Sequence, residues 1–178
     1  MILNKSVVAK TRIFEIEELH LQFSNGEKRY YERSKVGPSQ QAVMAVPVLD
    51  ADTILLIREY AVGIEDYTLA FPKGAMKEGE DPLESANREL KEEVGYGSHD
   101  LTLIKTMSTS PSYLGSLMYV VVARNLYEAT EEGDEPEKIE VVPWKLSQLD
   151  QLLKSDEFTE GRSIAAVLML EKWLKVVR

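Results

Sequence analysis

The chain has 178 residues, 44% hydrophobic and 29% charged, which is the length of one domain with a small appendage and the composition of a globular protein. Its 21 Lys and Arg face 30 Asp and Glu for a net charge of −9, a field that repels a phosphate backbone and argues against nucleic acid as a partner. With no Cys and only His20 and His99, disulfides, a Cys nucleophile and a Cys/His zinc site are all excluded, so any metal must be held by oxygen.

From Ile13 to Tyr31 apolar and polar residues alternate around Asn25-Gly26, a pair that tolerates positive φ, which predicts a β-hairpin. Gly37-Pro38 marks a break. Val43 to Leu49 and Ile54 to Ile57 then read as two buried strands joined by Asp50-Ala51-Asp52. Leu83, Ala86, Leu90 and Val94 recur at helical spacing, with Pro82 suited to a first turn and Gly95 to a stop, so a helix is expected from Pro82 to Val94. Leu117 to Ala123 reads as a strand, and Glu128 to Glu140, with seven acidic residues against Lys138, as an exposed loop. Leu146 to Lys154 and Ser163 to Val177 read as helices, the last apolar around much of its girth and therefore expected to be buried. This order predicts an α+β fold in which a mixed sheet is covered on both faces. Trp144 and Trp173 are assigned to packing, and His20 and His99 to the surface. No apolar run reaches the roughly 18 residues of a membrane span, and Met-Ile-Leu-Asn-Lys is no signal-peptide start, so a cytoplasmic protein without membrane contact is expected.

The helix from Pro82 carries the chemistry. Glu92 lies three and Glu93 four residues after Glu89, so three carboxylates share one face a turn apart. Like charges at that spacing repel, and they persist either because solvent screens them or because hard cations such as magnesium or manganese neutralise them. Glu80, just before the helix, is placed to join the cluster through a Gly-rich turn.

The full pattern decides between the two accounts. Gly74, five residues, Glu80, seven residues, Arg88-Glu89, an apolar residue, one more, Glu92-Glu93, one more and Gly95 resembles the Nudix box at every invariant position. The resemblance implies a Nudix-like α/β/α fold and cleavage of a nucleoside diphosphate linked to another moiety. It further implies that Glu89, Glu92 and Glu93 ligate Mg2+ or Mn2+, with Glu80 in support and a backbone carbonyl near Lys73 or Gly74 as a further ligand. Arg88 takes a structural role by pairing with a Glu, and Glu93 counts as catalytic as well as metal-binding.

Flanking segments narrow the branch. Ser110-Pro111-Ser112-Tyr113, with Pro111 fifteen residues past Tyr96, resembles the proline-containing stretch of ADP-ribose pyrophosphatases, and the N-terminal hairpin resembles the strand extension through which those enzymes form intertwined dimers. Ile57-Arg58-Glu59-Tyr60, the helix and Glu171-Lys172-Trp173-Leu174 resemble the hydrolases of ADP compounds over most of the chain. On this likeness residues 1–41 are a β-strand extension serving dimerisation and residues 42–178 the hydrolase domain, in a homodimer. Ala70, where ADP-ribose pyrophosphatases often carry Glu, and Leu114-Gly115-Ser116, where they carry an acid, depart from strict ADP-ribose specificity. Phe71-Pro72-Lys73-Gly74 instead resembles diadenosine polyphosphate hydrolases, with Lys73 meeting an extra phosphate. The implied range is ADP-ribose, NADH and diadenosine polyphosphates, with AMP released. The alternatives are a narrow diadenosine polyphosphate hydrolase and a non-catalytic nucleotide sensor.

The family places a general base on an acidic loop downstream, here Gly133 to Ile139, where Glu135 is the first candidate and Glu137 the second. Arg58 is a candidate phosphate or ribose contact, and Tyr113 or Tyr60 a candidate stacking partner for adenine.

Overall fold

In the computed structural model, which describes residues 1–35, 41–133 and 136–176, the strands divide between two sheets. The first is an antiparallel meander of β1 (Ile2–Lys10), β2 (Glu15–Gln22) and β3 (Lys28–Ser34). The expected hairpin is β2–β3: Gly26 takes φ +85°, and the Asn25 side chain accepts the Glu27 amide at 3.1 Å. Sequence alternation missed β1, where every residue is exposed, so no buried face imposes a pattern. Gly37-Pro38 lies outside the described residues.

The second sheet contains seven strands. The two apolar runs become β4 (Gln41–Asp50) and β5 (Thr53–Ala61), with Asp50 accepting the Asp52 amide in the turn between them. β6 (Asp66–Ala70) folds back on β5, and the short β7 (Lys73–Ala75) pairs with β4. β8 (Tyr96–Ser108) and β9 (Leu117–Glu128) form a long antiparallel pair, β9 runs parallel to β4, and β10 (Glu140–Lys145) closes the other side against β5. The sheet is therefore mixed.

Period-2 alternation sends the two sides of each central strand into different cores. Met44, Val46, Val48, Ile54, Leu56, Val120 and Val122 face one way, and pack with Leu149, Leu152, Ala166, Val167 and Leu170. These come from α2 (Leu149–Leu152), which a 3-10 turn at Leu146–Gln148 introduces, and α3 (Gly161–Val176). Val43, Ala45, Leu55, Ile57, Val121 and Ala123 face the other way, toward Ala86, Leu90 and Val94 of the carboxylate helix α1 (Pro82–Glu89, continued by a π-helical turn at Leu90–Val94). The expected α/β/α layering is present. The closing helix is less buried than its apolar girth suggests, since it covers one face only and leaves Leu168 44% exposed. Trp144 and Trp173 pack against the larger core, Trp173 with the Arg124 guanidinium 5.0 Å from its ring centre. His20 stacks on Tyr30 and His99 on Tyr127.

Candidate active site

Helix α1 is fixed at both ends. The Asp81 carboxylate accepts the Leu83 amide at 2.8 Å, Pro82 opens the first turn, and Gly95 at φ +77° ends the π-helical turn. Its apolar stripe lies on the sheet, which turns the carboxylates toward β7. There the Lys73 amide donates to Glu93 at 3.0 Å, and the Glu89 carboxylate lies so close to Gly74 that a Cβ at that position would stand 2.3 Å from it. A side chain at 74 would compete with the Glu89 carboxylate for the same space and displace it.

Arg88 joins the cluster together. It donates to Glu80 at 3.0 Å, to Glu89 at 2.6 Å, to Glu92 at 2.8 Å and to the Ala75 carbonyl at 3.1 Å. Its hydrogen bond holds the Glu80 carboxyl down at about 2. Glu89 and Glu93 behave in the opposite way, being only 6% and 8% exposed. Burial pushes the Glu89 carboxyl up despite the neighbouring Arg88, and pushes Glu93 up to about 8 against the pull of the Lys73 charge. Both buried carboxyls thus hold their protons more tightly than a free carboxylate, because the neighbouring cations do not fully offset the cost of burying the charge.

Among the described residues no three acidic or histidine side chains converge, as they stand, around a point for one ion. Arg88 holds the oxygens of Glu89 and Glu92. The donor set nevertheless fits a hard divalent cation: Glu89, Glu92, Glu93 and Gly74 line one cleft of about 620 Å3, with Lys73, Lys77 and Glu132 around them. A cleft of about 290 Å3 shares Glu89, Glu92 and Glu93 and extends to Glu137, Lys138 and Ile139. A third, of about 420 Å3, shares Glu137, Lys138 and Ile139 and continues to Arg58, Glu59, Tyr60 and Tyr67. Together they make one groove. The acidic loop forms its wall, fastened to α1 by the Glu131 amide on the Lys91 carbonyl and by the Lys91–Glu131 ion pair at 2.7 Å.

The sequence candidates fall unevenly along this groove. Lys73 reaches it, with its ammonium paired to Glu59. Tyr60 and Glu137 line the far end, and Glu135 lies outside the described residues. Arg58 lines that end too, but its guanidinium is held by Glu140 at 2.6 Å and Glu157 at 2.9 Å. Tyr113 is not among the lining residues of these three clefts: it is 69% exposed, and its carbonyl accepts the Ser34 amide. The Ser110 carbonyl accepts the Tyr113 and Leu114 amides, so Pro111 sits in a turn. Tyr67 and Glu59 carry no motif of their own: the pairing of β6 with β5 across residues 62–65 is what brings them to the groove.

A family profile for the NUDIX domain matches residues 38–167, and one for the NudE-type Nudix hydrolase N-terminal domain matches residues 1–33. The chain belongs to the Nudix hydrolase family. It is 49% identical to the ADP compounds hydrolase NudE of Escherichia coli over 98% of its own length and 92% of that protein's. It is 29% identical to the ADP-ribose pyrophosphatase of Bacillus subtilis over 95% of its length and 94% of that protein's. A crystal structure of an ADP compounds hydrolase superposes with a TM-score of 0.93 at 48% identity, covering 99% of this chain and 94% of that one. In this Nudix hydrolase no helix among the described residues is long and apolar enough to cross a membrane.

Proposed function

We propose that this Nudix hydrolase cleaves the pyrophosphate bond of ADP-linked compounds, among them ADP-ribose, NADH and diadenosine polyphosphates, and releases AMP. The observation that carries the reading is the groove itself: buried Glu89 and Glu93 at one end, a pair of tyrosines at the other, and the acidic loop between. The near full-length likeness to an ADP compounds hydrolase supports the same substrate class.

Glu89, Glu92 and Glu93, with Glu80 behind them and the Gly74 carbonyl beside them, would hold Mg2+ or Mn2+. Such an ion, when bound, neutralises pyrophosphate oxygens and makes water nucleophilic. The chain's own residues do the rest. Arg88 ties Glu80, ahead of the helix, to Glu89 and Glu92 on it, and the Lys73 amide fixes Glu93. Glu135 or Glu137 on the acidic loop takes the proton of the attacking water. Lys73, Arg58, Tyr60 and Tyr113 remain the candidate substrate contacts. Of these, Lys73 favours the narrower diadenosine polyphosphate reading, and its pairing with Glu59 weakens that case. The sensor reading loses ground because every box carboxylate is present.

Residues 1–41 serve as a dimerisation element beside the hydrolase domain of 42–178, in a cytoplasmic protein. The deciding experiment offers ADP-ribose, NADH, diadenosine tri- and tetraphosphate and a nucleoside triphosphate to the purified protein with magnesium and identifies the products. AMP and ribose 5-phosphate from ADP-ribose, together with turnover of NADH or the triphosphate dinucleotide, support the reading. Turnover of the tetraphosphate alone favours the narrow enzyme, and binding without hydrolysis favours the sensor.

A further inference from the structure

Phosphate chemistry accounts for the carboxylate end of the groove but not for the cleft of about 420 Å3 at its other end. Strand register sets Tyr60 opposite Tyr67 on β5 and β6, and their rings meet edge to face at 5.4 Å and 72°. A cross-strand aromatic pair ordinarily supports its own sheet. Here the two residues stay 50% and 44% exposed while lining a concave site, so much of each ring is free to receive a ligand.

The charge of the lining decides what that ligand is. Glu59, Glu137 and Glu140 line the cleft with Arg58 and Lys138; the Arg58 guanidinium is already shared between Glu140 and Glu157, and Glu59 is paired with Lys73. A phosphate would find the Arg58 guanidinium already engaged and more carboxylates than cations around it, whereas a neutral planar ring that donates hydrogen bonds would meet aromatic surface and carboxylate acceptors. The volume lies within the range of small-molecule sites. Beyond the Arg58–Glu140 partnership β10 no longer covers β5, and the acidic loop takes its place as the cleft wall.

One contact ties this cleft to the chemistry. The Tyr67 hydroxyl donates to Glu137 at 2.8 Å, and Glu137 belongs to the lining of both this cleft and the one that reaches Glu89, Glu92 and Glu93. We propose that the cleft takes the nucleobase of the substrate, stacked on the Tyr60–Tyr67 pair, and that Tyr67 is a positioning residue whose hydroxyl holds Glu137 between base and carboxylates. The inference rests on the hydrolase reading for the role of Glu137, while the base site stands on the geometry of the cleft.

Two product molecules serve as probes, because AMP carries the base and ribose 5-phosphate does not. Isothermal calorimetry with magnesium is expected to show Tyr60→Ala weakening AMP about tenfold while ribose 5-phosphate changes less than about twofold. Tyr60→Leu, which keeps apolar bulk without a ring, guards against a variant that merely melts. Tyr67→Phe keeps the ring, so AMP affinity and KM for ADP-ribose should stay within about twofold while kcat falls about tenfold or more. Loss of both probes together, or of neither, in the Tyr60 variants overturns the base site. Full kcat in Tyr67→Phe overturns the positioning role. A wild-type protein that turns over no ADP-linked compound defeats the hydrolase reading and the positioning role with it, and the AMP titrations still decide the base site.

Discussion

Arg88 meets three carboxylates, a carbonyl and the Ser85 hydroxyl at once, and one of those carboxylates, Glu89, is nearly out of solvent. Removing it leaves Glu80 and Glu89 without their main partner, a change of the kind that costs about 3–5 kcal/mol. Arg88→Ala is therefore expected to lower the unfolding free energy from urea denaturation by that amount in chelator-containing buffer; an unchanged free energy would mean that the cluster relaxes into solvent. Gly74 predicts a different split. A methyl at 74 would strike only the far end of Glu89, which has room to turn at a modest cost of about 1–2 kcal/mol. Turning Glu89 misplaces a proposed ligand, so Gly74→Ala should stay folded by thermal melt and lose about a hundredfold in turnover. These residues were legible in the sequence because Gly74, Glu80, Arg88, Glu89, Glu92 and Glu93 lie within one local stretch whose spacing sets their geometry. The ion pairs of Arg58 were not, since its partners Glu140 and Glu157 stand 82 and 99 residues away along the chain.

At the scale of elements, the strongly periodic pieces were readable and the short or two-sided ones were not. β4, β5 and α1 announced themselves because each buries a face or is buried on both. β7 has three residues and exists only because β4 and Glu93 fix it, and the π-helical turn at Leu90–Val94 leaves no pattern in residue type. The sequence pattern starts α3 at Ser163, two residues late, because the cap before it leaves no apolar period. Glu160 accepts the Ser163 amide at 2.8 Å and the Arg162 amide at 3.1 Å, and the Ser163 hydroxyl in turn accepts the Phe71 amide at 3.0 Å, next to β7. Burial raises the Glu160 carboxyl, but hydrogen bonds and charge from Arg162, with the helix amides, outweigh it and leave the group below its ordinary value. A lowered folded value means stability that is complete above the usual carboxylate range and lost as pH falls through the folded value. Glu160→Ala should thus cost about 1 kcal/mol at pH 7, measured by urea denaturation. The gap to wild type should close in acid, and a gap constant with pH would show that packing rather than the charged cap was lost.

For the molecule as a whole, the N-terminal sheet poses the largest energetic question. Successive strand residues point to opposite faces, yet Val7 and Val8 are 50% and 49% exposed, so β1 is bare on both sides. Phe14, Phe23, Tyr30 and Tyr31 add further open apolar area, and β1 and β3 are both edge strands in the order β1-β2-β3. A small sheet with uncovered faces and unpaired edges is marginal in water and prone to pair with another chain. The segment is also the basic end of an acidic protein, with seven Lys and Arg against five Glu in residues 1–41, which suits contact with the acidic body of a second copy. The proposed dimer answers all three features, because one symmetric partner covers faces and edges together. Sedimentation equilibrium should return twice the chain mass. Replacing Val8 and Tyr31 with Lys should shift that mass toward a single chain and lower the melting temperature, while the pyrophosphatase core keeps its α1 and seven-stranded sheet. A wild-type protein that sediments as one chain at micromolar concentration would leave the apolar sheet needing some other cover, and the dimerisation role of residues 1–41 would fall.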